Sequence, residues 1–229
     1  MRKFGLTGYP LSHSFSKKYF SEKFKKEGIT GCTYENYPLA SIELLPRLLE
    51  TERPEGLNVT IPYKEVVIPF LTRLDAAAAE IGAVNCIHFT TAGATGFNTD
   101  VIGFGRSLKP LLQPSHTRAL ILGTGGAAKA VAFTLTQLGI GFAFVSRKAD
   151  PAFLRYTDLD EGTLRTYTVI INTTPLGTTP NVHEAPQLPY HLVGPQHLLY
   201  DLVYNPPETL FLQKGKMQGA RVKNGAEML

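Results

Sequence analysis

Tryptophan is absent from these 229 residues, methionine occurs three times and cysteine twice. Cys32 and Cys86 have no paired spacing, so neither a disulfide framework nor a cysteine-built metal motif is written into the chain. The histidines, His13, His88, His116, His183, His191 and His197, show no ligand spacing beside cysteines or acids, which removes a zinc hydrolase and leaves no metal to expect. Long apolar runs are missing too. Nothing approaches the roughly 18 unbroken apolar residues of a membrane helix, and the opening MRKFGLTG lacks the apolar core of a signal peptide. A reducing cytoplasm, with no membrane partner, is the expected setting.

Charge is modest. With 18% charged and 43% hydrophobic residues, the composition is that of an ordinary globular chain of one or two domains. Much of the positive charge behind the net +4 is gathered in one place: Lys17, Lys18, Lys23, Lys25 and Lys26 fall on a helix expected over residues 15–27. Phe15, Tyr19, Phe20 and Phe24 form the apolar stripe of that helix and Gly28 its stop. A lysine face of this kind is a solvated surface, so no nucleic-acid partner is expected, although a mild positive field suits small anionic ligands.

What the chain does have is strand and helix in alternation. In GLNVTIPYKE, residues 56–65, Leu57, Val59 and Ile61 alternate with Asn58 and Thr60, the pattern of a strand with one apolar face. Pro62 ends it, because proline has no N–H for a central ladder. Thr60 and Lys64 are thereby placed at the carboxyl end of a strand, where open α/β sheets hold their ligands. Further strands are expected over 3–7, 33–37 and 83–89, with helices over 41–50, 63–72 and 75–81. A second block has strands over 119–122, 142–145, 168–171 and 198–202, with a helix over 126–138. Residues 100–112 read as a connecting helix at the boundary. Alternation of this sort argues for mainly parallel sheets.

Within ALILGTGGAAKAVAF a strand runs into Gly123, Thr124, Gly125, Gly126, Ala127 and Ala128 and then into a helix. Gly123, Gly125 and Ala128 satisfy the dinucleotide fingerprint in its required strand-turn-helix setting, with a helix N-terminus to take phosphate. A plain structural turn is the competing explanation. After the next strand an NAD binder has an acid for the ribose hydroxyls; this chain has Ser146, Arg147 and Lys148. Two cations there suit the 2′-phosphate of NADP.

YPLSHSFS (9–16), NVTIPYK (58–64) and GAVN (82–85) followed by NTD (98–100) together resemble the shikimate dehydrogenases. The glycine loop, TVIINTTPLG, YDLVYNP and KNGAEML match as well, in the family's order, so the resemblance covers essentially the whole chain. It implies an NADPH-dependent reduction of 3-dehydroshikimate to shikimate, on the chorismate route to aromatic amino acids, by a monomer or homodimer. It also implies an α/β fold of two domains with the active site in the cleft between them. The first is a substrate-binding domain with a mainly parallel sheet, residues 1–100, to which 217–229 returns. The second is a Rossmann-like NADP-binding domain, residues 101–216.

The same resemblance assigns roles. Lys64 matches the catalytic lysine and Asp100 its partner; a ketone accepting hydride needs a proton donor, and an ammonium beside a carboxylate can serve. Ser14 and Ser16 match the serines that bind the substrate carboxylate, although either could simply cap the following helix. Thr60, Asn85 and Asp100 match positions that bind ring hydroxyls, and Tyr204 matches a substrate-binding tyrosine. Leu202 and Gly225 match positions near the nicotinamide, and Thr173 is a further cofactor candidate beside Asn172 and Thr174. His13 belongs to the serine motif and reads as structural.

Departures from the family pattern fall at Lys17, where proline usually follows the second serine, and at Val101, where glycine usually follows NTD. Residues 147–167 are short for a full helical crossover. The segment ending at Leu229 normally leads to a glutamine that contacts substrate, without which substrate binding is expected to weaken. Two alternatives stand beside the main expectation: a relative acting on quinate or with NAD, and a non-catalytic NADP-binding module. The intact Lys64 and Asp100 argue against the second.

Overall fold

The computed structural model describes residues 1–12 and 14–228; His13 and its structural role, and Leu229, lie outside the described residues. The chain divides into two compact units, Met1–Thr99 and Asp100–Leu229, one residue earlier than expected.

The first unit comprises β1 (Arg2–Gly8), α1 (Ser16–Lys26), β2 (Cys32–Pro38), α2 (Leu45–Glu52), β3 (Gly56–Val59), β4 (Arg73–Leu74), α3 (Ala76–Ile81), β5 (Cys86–Thr90) and β6 (Gly93–Phe97). Its sheet runs β2-β1-β3-β5-β6-β4. β1 pairs in parallel with β2 and β3, and β4 with β6. β5 is antiparallel to both β3 and β6, a hairpin that the alternation of strand and helix did not reveal. One face buries Leu57, Val59 and Ile87 together with Leu45 of α2 and Ala78 of α3. On the other, Leu6 and Tyr34 lie beneath α1, with Phe20 stacked on Tyr34 at 4.4 Å between ring centroids. Of the expected stripe on α1, Phe20 and Phe24 pack here while Phe15 stays exposed.

Two local expectations are corrected in this unit. No α-helix forms over 63–72, where only a short 3-10 turn, Ile68–Phe70, appears. Val66, Val67 and Ile68 are β-branched and Pro69 has no N–H, so helix does not propagate past the Val67 N–H bond to the Tyr63 carbonyl, 3.0 Å. The strand expected over 83–89 starts only at Cys86, because the Val84 N–H goes to the Lys64 carbonyl at 2.7 Å rather than to a neighbouring strand. By contrast α3 follows its sequence signals: Asp75 accepts from the Ala78 N–H at 2.9 Å, and Gly82 closes the helix at φ +67°. Asp75→Ala is expected to destabilise the fold by about 1 kcal/mol, read as a lower urea midpoint at unchanged slope.

The second unit comprises α4 (Asp100–Leu108), β7 (Arg118–Leu122), α5 (Gly126–Gln137), β8 (Gly141–Ser146), β9 (Leu154–Arg155), α6 (Glu161–Thr166), β10 (Val169–Asn172), β11 (Leu198–Asp201), α7 (Leu210–Met217) and β12 (Arg221–Lys223). All its strands are parallel, in the order β12-β11-β10-β7-β8-β9. Read from the other edge, this is the doubly wound dinucleotide-binding order, which reverses between β7 and β10. Ala119 and Ile121 point into one buried cluster with Phe104 of α4 and Leu135 of α5. Leu120 and Leu122 point into another with Leu164 of α6 and Phe211 of α7. Both faces are therefore covered, which is why these strands read as unbroken apolar runs.

Residues 217–229, expected to return to the first domain, lie in the second unit as far as they are described. The reason is pairing: Val222 sits opposite Leu199 at the sheet edge, and the 3-10 turn Gly225–Met228 packs its backbone on Gly103 of α4. Among the described residues no helix is long and apolar enough to cross a membrane.

Candidate active site

In the first unit the carboxyl ends of β1 and β3 lie side by side. The Thr60 N–H donates to the Thr7 carbonyl at 2.9 Å and the Tyr9 N–H to the Ile61 carbonyl at 3.1 Å. Just beyond, Tyr63 is buried and its hydroxyl donates to the Leu39 carbonyl at 2.5 Å. With the Lys64 carbonyl also held, the backbone on either side of that half-buried lysine is anchored. Asn85 stands immediately before β5. Its carbonyl accepts from the Val59 N–H at 2.8 Å, and its side-chain amide is clasped by Thr99, whose N–H donates at 2.8 Å and whose hydroxyl lies 3.0 Å from Nδ2. Thr99 was missed in the sequence; only its place before Asp100 could have signalled it. Ser14 and Ser16 flank the start of α1. Ser14 Oγ accepts from the Ser16 N–H at 3.3 Å, a local turn just ahead of α1, whose N-cap residue is Phe15 and makes no side-chain cap bond.

In the second unit the glycine turn leaves β7 at the switch point. Gly123 has φ +114°, and a Cβ there would stand 2.7 Å from the Thr173 hydroxyl, so glycine is required on both counts. Thr173 itself donates to the Leu122 carbonyl at 2.7 Å. A Cβ on Gly125, the N-cap of α5, would meet nothing within 4 Å, and Gly126, Ala127 and Ala128 open the helix directly after it. The first N–H groups of a helix have no intrahelical partner, which is what a diphosphate needs. Ala128 is fully buried against the sheet, the close packing asked of the motif's third position. At the end of β8, buried Ser146 turns its Oγ to the Lys148 N–H at 3.1 Å, which shapes the exposed Arg147–Lys148 corner. Beside Arg147 is a cavity of about 340 Å³ lined in part by Tyr156, Leu176, His183 and Lys214. A cationic corner with no acid at the strand end fits a phosphorylated ribose.

Beyond β10 and β11 the chain is braced by a buried network. Asp201, fully buried, accepts from Asn172 Nδ2 at 2.9 Å, the Val203 N–H at 3.0 Å and the Thr209 hydroxyl. Burial pushes its carboxyl up to about 6, against the pull of those three bonds. Asn172 turns its Oδ1 back to the Thr174 N–H and hydroxyl, 3.0 and 2.6 Å. Leu202 lies against Gly225, where any Cβ would run into the Leu202 carbonyl, and burial raises the Tyr204 phenol. Asp100 opens α4, a favourable end for a carboxylate. Sequence reasoning passed over Asp201 and Thr209, although an acid closing the buried strand LLYD was a readable signal. Among the described residues no group of three or more His, Cys, Asp or Glu could hold a metal ion.

A switch point built in this way defines a dinucleotide-binding α/β protein. A family model described as the shikimate dehydrogenase substrate binding domain matches residues 6–87. The shikimate dehydrogenase (NADP(+)) of Halothermothrix orenii is 37% identical over 98% of this chain and 86% of its own length. Shikimate dehydrogenase 1 of Peptoclostridium difficile superposes on the whole chain with a TM-score of 0.89, 33% identical and 87% covered. The Thermus thermophilus shikimate 5-dehydrogenase, solved in complex with NADP(H) and shikimate, does so with a TM-score of 0.86, 31% identical and 88% covered. The chain belongs to the shikimate dehydrogenase family.

Proposed function

We propose that this protein is an NADP-dependent oxidoreductase that reversibly reduces 3-dehydroshikimate to shikimate in chorismate and aromatic amino-acid biosynthesis. The observation that carries the reading is the family match over 98% of the chain, in a sequence that keeps both Lys64 and Asp100. When bound, NADPH supplies the hydride. Lys64 gives a proton to the ketone oxygen as negative charge develops there, and Asp100 is its catalytic partner. Ser14 and Ser16 take the substrate carboxylate. Thr60, Asn85, Asp100 and Tyr204 bind the remaining polar groups, and the Thr99 clasp presets the Asn85 amide for that work.

In the same reading Gly123, Thr124, Gly125, Gly126 and Ala127 approach the diphosphate, and Ser146, Arg147 and Lys148 hold the 2′-phosphate. Thr173, Leu202 and Gly225 flank the nicotinamide. The protein is a monomer or homodimer in a reducing cytoplasm, in keeping with the free thiols of Cys32 and Cys86, and has no nucleic-acid partner. Light scattering on the eluting protein distinguishes the two assembly states.

The test is the absorbance of reduced cofactor formed from shikimate with NADP, beside quinate and NAD. Faster turnover of quinate, or of NAD, would overturn the corresponding half of the proposal. Arg147→Ala is expected to raise KM for NADP roughly tenfold to a hundredfold, the loss of charge-assisted bonds to a phosphate, while KM for NAD stays nearly constant. Equal changes for both cofactors would remove Arg147 from the 2′-phosphate.

A further inference from the structure

We propose that Asp201 is a positioning residue: its buried carboxylate locks the loop after β10 to the loop after β11, so that Thr173, Leu202 and Tyr204 are set as one unit. The proposal rests on the functional reading above, in which those three residues meet cofactor and substrate.

The geometry forms a continuous chain. From the glycine turn, the Leu122 carbonyl accepts both the Thr173 N–H, 3.0 Å, and the Thr173 hydroxyl, 2.7 Å. The Thr174 N–H and hydroxyl close onto Asn172 Oδ1, and Asn172 Nδ2 reaches Asp201 Oδ1 at 2.9 Å. The same Oδ1 takes the Val203 N–H at 3.0 Å, which bends the chain between Leu202 and Tyr204. The Leu202 N–H meanwhile donates to the Asn172 carbonyl at 3.0 Å, and the Gly225 N–H to the Val203 carbonyl at 3.3 Å. Thr209, the N-cap of α7, makes no side-chain cap bond and gives its hydroxyl to Asp201 Oδ2 instead.

Three donors converge on one side chain with no water-accessible surface. An ionised carboxylate offers only acceptors, so it satisfies all three at once. Alanine would leave three buried donors unpaired and release both loops from each other. A residue serving the fold alone would need no such reach: the bonds from Asp201 and Asn172 end on loop backbone at the sheet's carboxyl edge, where a doubly wound sheet holds its ligand.

The experiment measures Kd for NADPH by its fluorescence, and KM for NADP and shikimate, at a temperature where circular dichroism shows each variant folded. Asp201→Ala and Asn172→Ala are expected to raise Kd for NADPH and KM for shikimate about tenfold or more, as displaced loops misplace their side chains. Asp201→Asn should recover most of the loss, since its Oδ1 still accepts from Val203 and Asn172 while its amide donates to the Thr209 hydroxyl. Thr209→Val should lower Tm with little change in Kd, which separates stability from positioning. Folded Asp201→Ala and Asn172→Ala proteins with wild-type Kd and KM would overturn the proposal. If Asp201→Ala does not fold, Asn172→Ala decides alone, because it leaves Asp201 bonded to Val203 and Thr209. Wild-type protein that binds NADPH without turning over shikimate overturns only the functional reading; failure to bind NADPH overturns both.

Discussion

Lys64→Ala is expected to lower kcat by about 10²- to 10⁴-fold while NADP still binds, the range that a positioned proton donor contributes. The size of the effect follows from where the lysine sits. β3 ends at Val59, Pro62 blocks further pairing, and the chain turns through a segment too β-branched to become helix. That turn has anchors of its own. It is held by the buried Tyr63 ring, whose hydroxyl reaches the Leu39 carbonyl, and by the Val84 N–H on the Lys64 carbonyl. Truncation at Cβ leaves those anchors in place, so the variant is expected to fold.

Lys64→Arg is the sharper companion variant. Guanidinium keeps the positive charge but does not release its proton, so it should resemble alanine in kcat if proton transfer is the role, and wild type if charge alone matters. The measurement is steady-state turnover of shikimate with NADP, alongside NADPH binding by fluorescence. An Ala variant with near-wild-type kcat would make Lys64 a positioning or solvent residue, and the family relationship would then account for the fold without this mechanism.

How far such residues could be found in the sequence depended on the physical range of the signal. The parallel strands of the second unit were legible because both faces are buried, giving runs such as ALIL at 119–122. The glycine turn was legible because its requirements are local: a positive φ at Gly123 and open space at Gly125. β6 was not, since GATGF carries only one large apolar residue, and β12 was not, since Arg221 and Lys223 flank a single valine. The supposed helix over 63–72 shows the opposite failure, an apolar pattern overruled by β-branching and Pro69. Side-chain networks lie furthest out of reach. The Asn172–Asp201 bond spans 29 positions and the Asn85–Thr99 clasp 14, and neither pairing leaves a periodic trace. The boundary of the second unit was displaced for a similar reason, because the place of β12 depends on pairing with Leu199 and not on anything local to residues 217–229.

Asp201→Asn is expected to abolish a pH effect on stability. Burial raises the wild-type carboxyl from 3.8 to about 6, and the three hydrogen bonds only partly oppose it. In the unfolded chain the group titrates near its ordinary value. Between those two values the folded protein keeps a proton that the unfolded chain has lost, so ν_N exceeds ν_U and Asp201 makes stability fall as pH rises through the window. Above about pH 6 the folded protein holds a buried carboxylate, and a difference of about two pKa units corresponds to about 3 kcal/mol. Asparagine has the same shape and does not titrate. Urea unfolding from about pH 4 to about pH 7 should therefore find the variant and wild type nearly equal at the acid end, and the variant more stable by about 3 kcal/mol at neutrality. A difference that stays flat across this range would mean that Asp201 titrates alike in both states, and that its bonds fully offset its burial. A difference that rises as expected would show the neutral-pH protein keeping a destabilising charge at the very point where the loops after β10 and β11 are joined. Three converging donors are what that charge satisfies, and an amide satisfies them only by reversing the Thr209 hydroxyl. The stability curve and the cofactor Kd of this one variant thus separate the charge of Asp201 from its position.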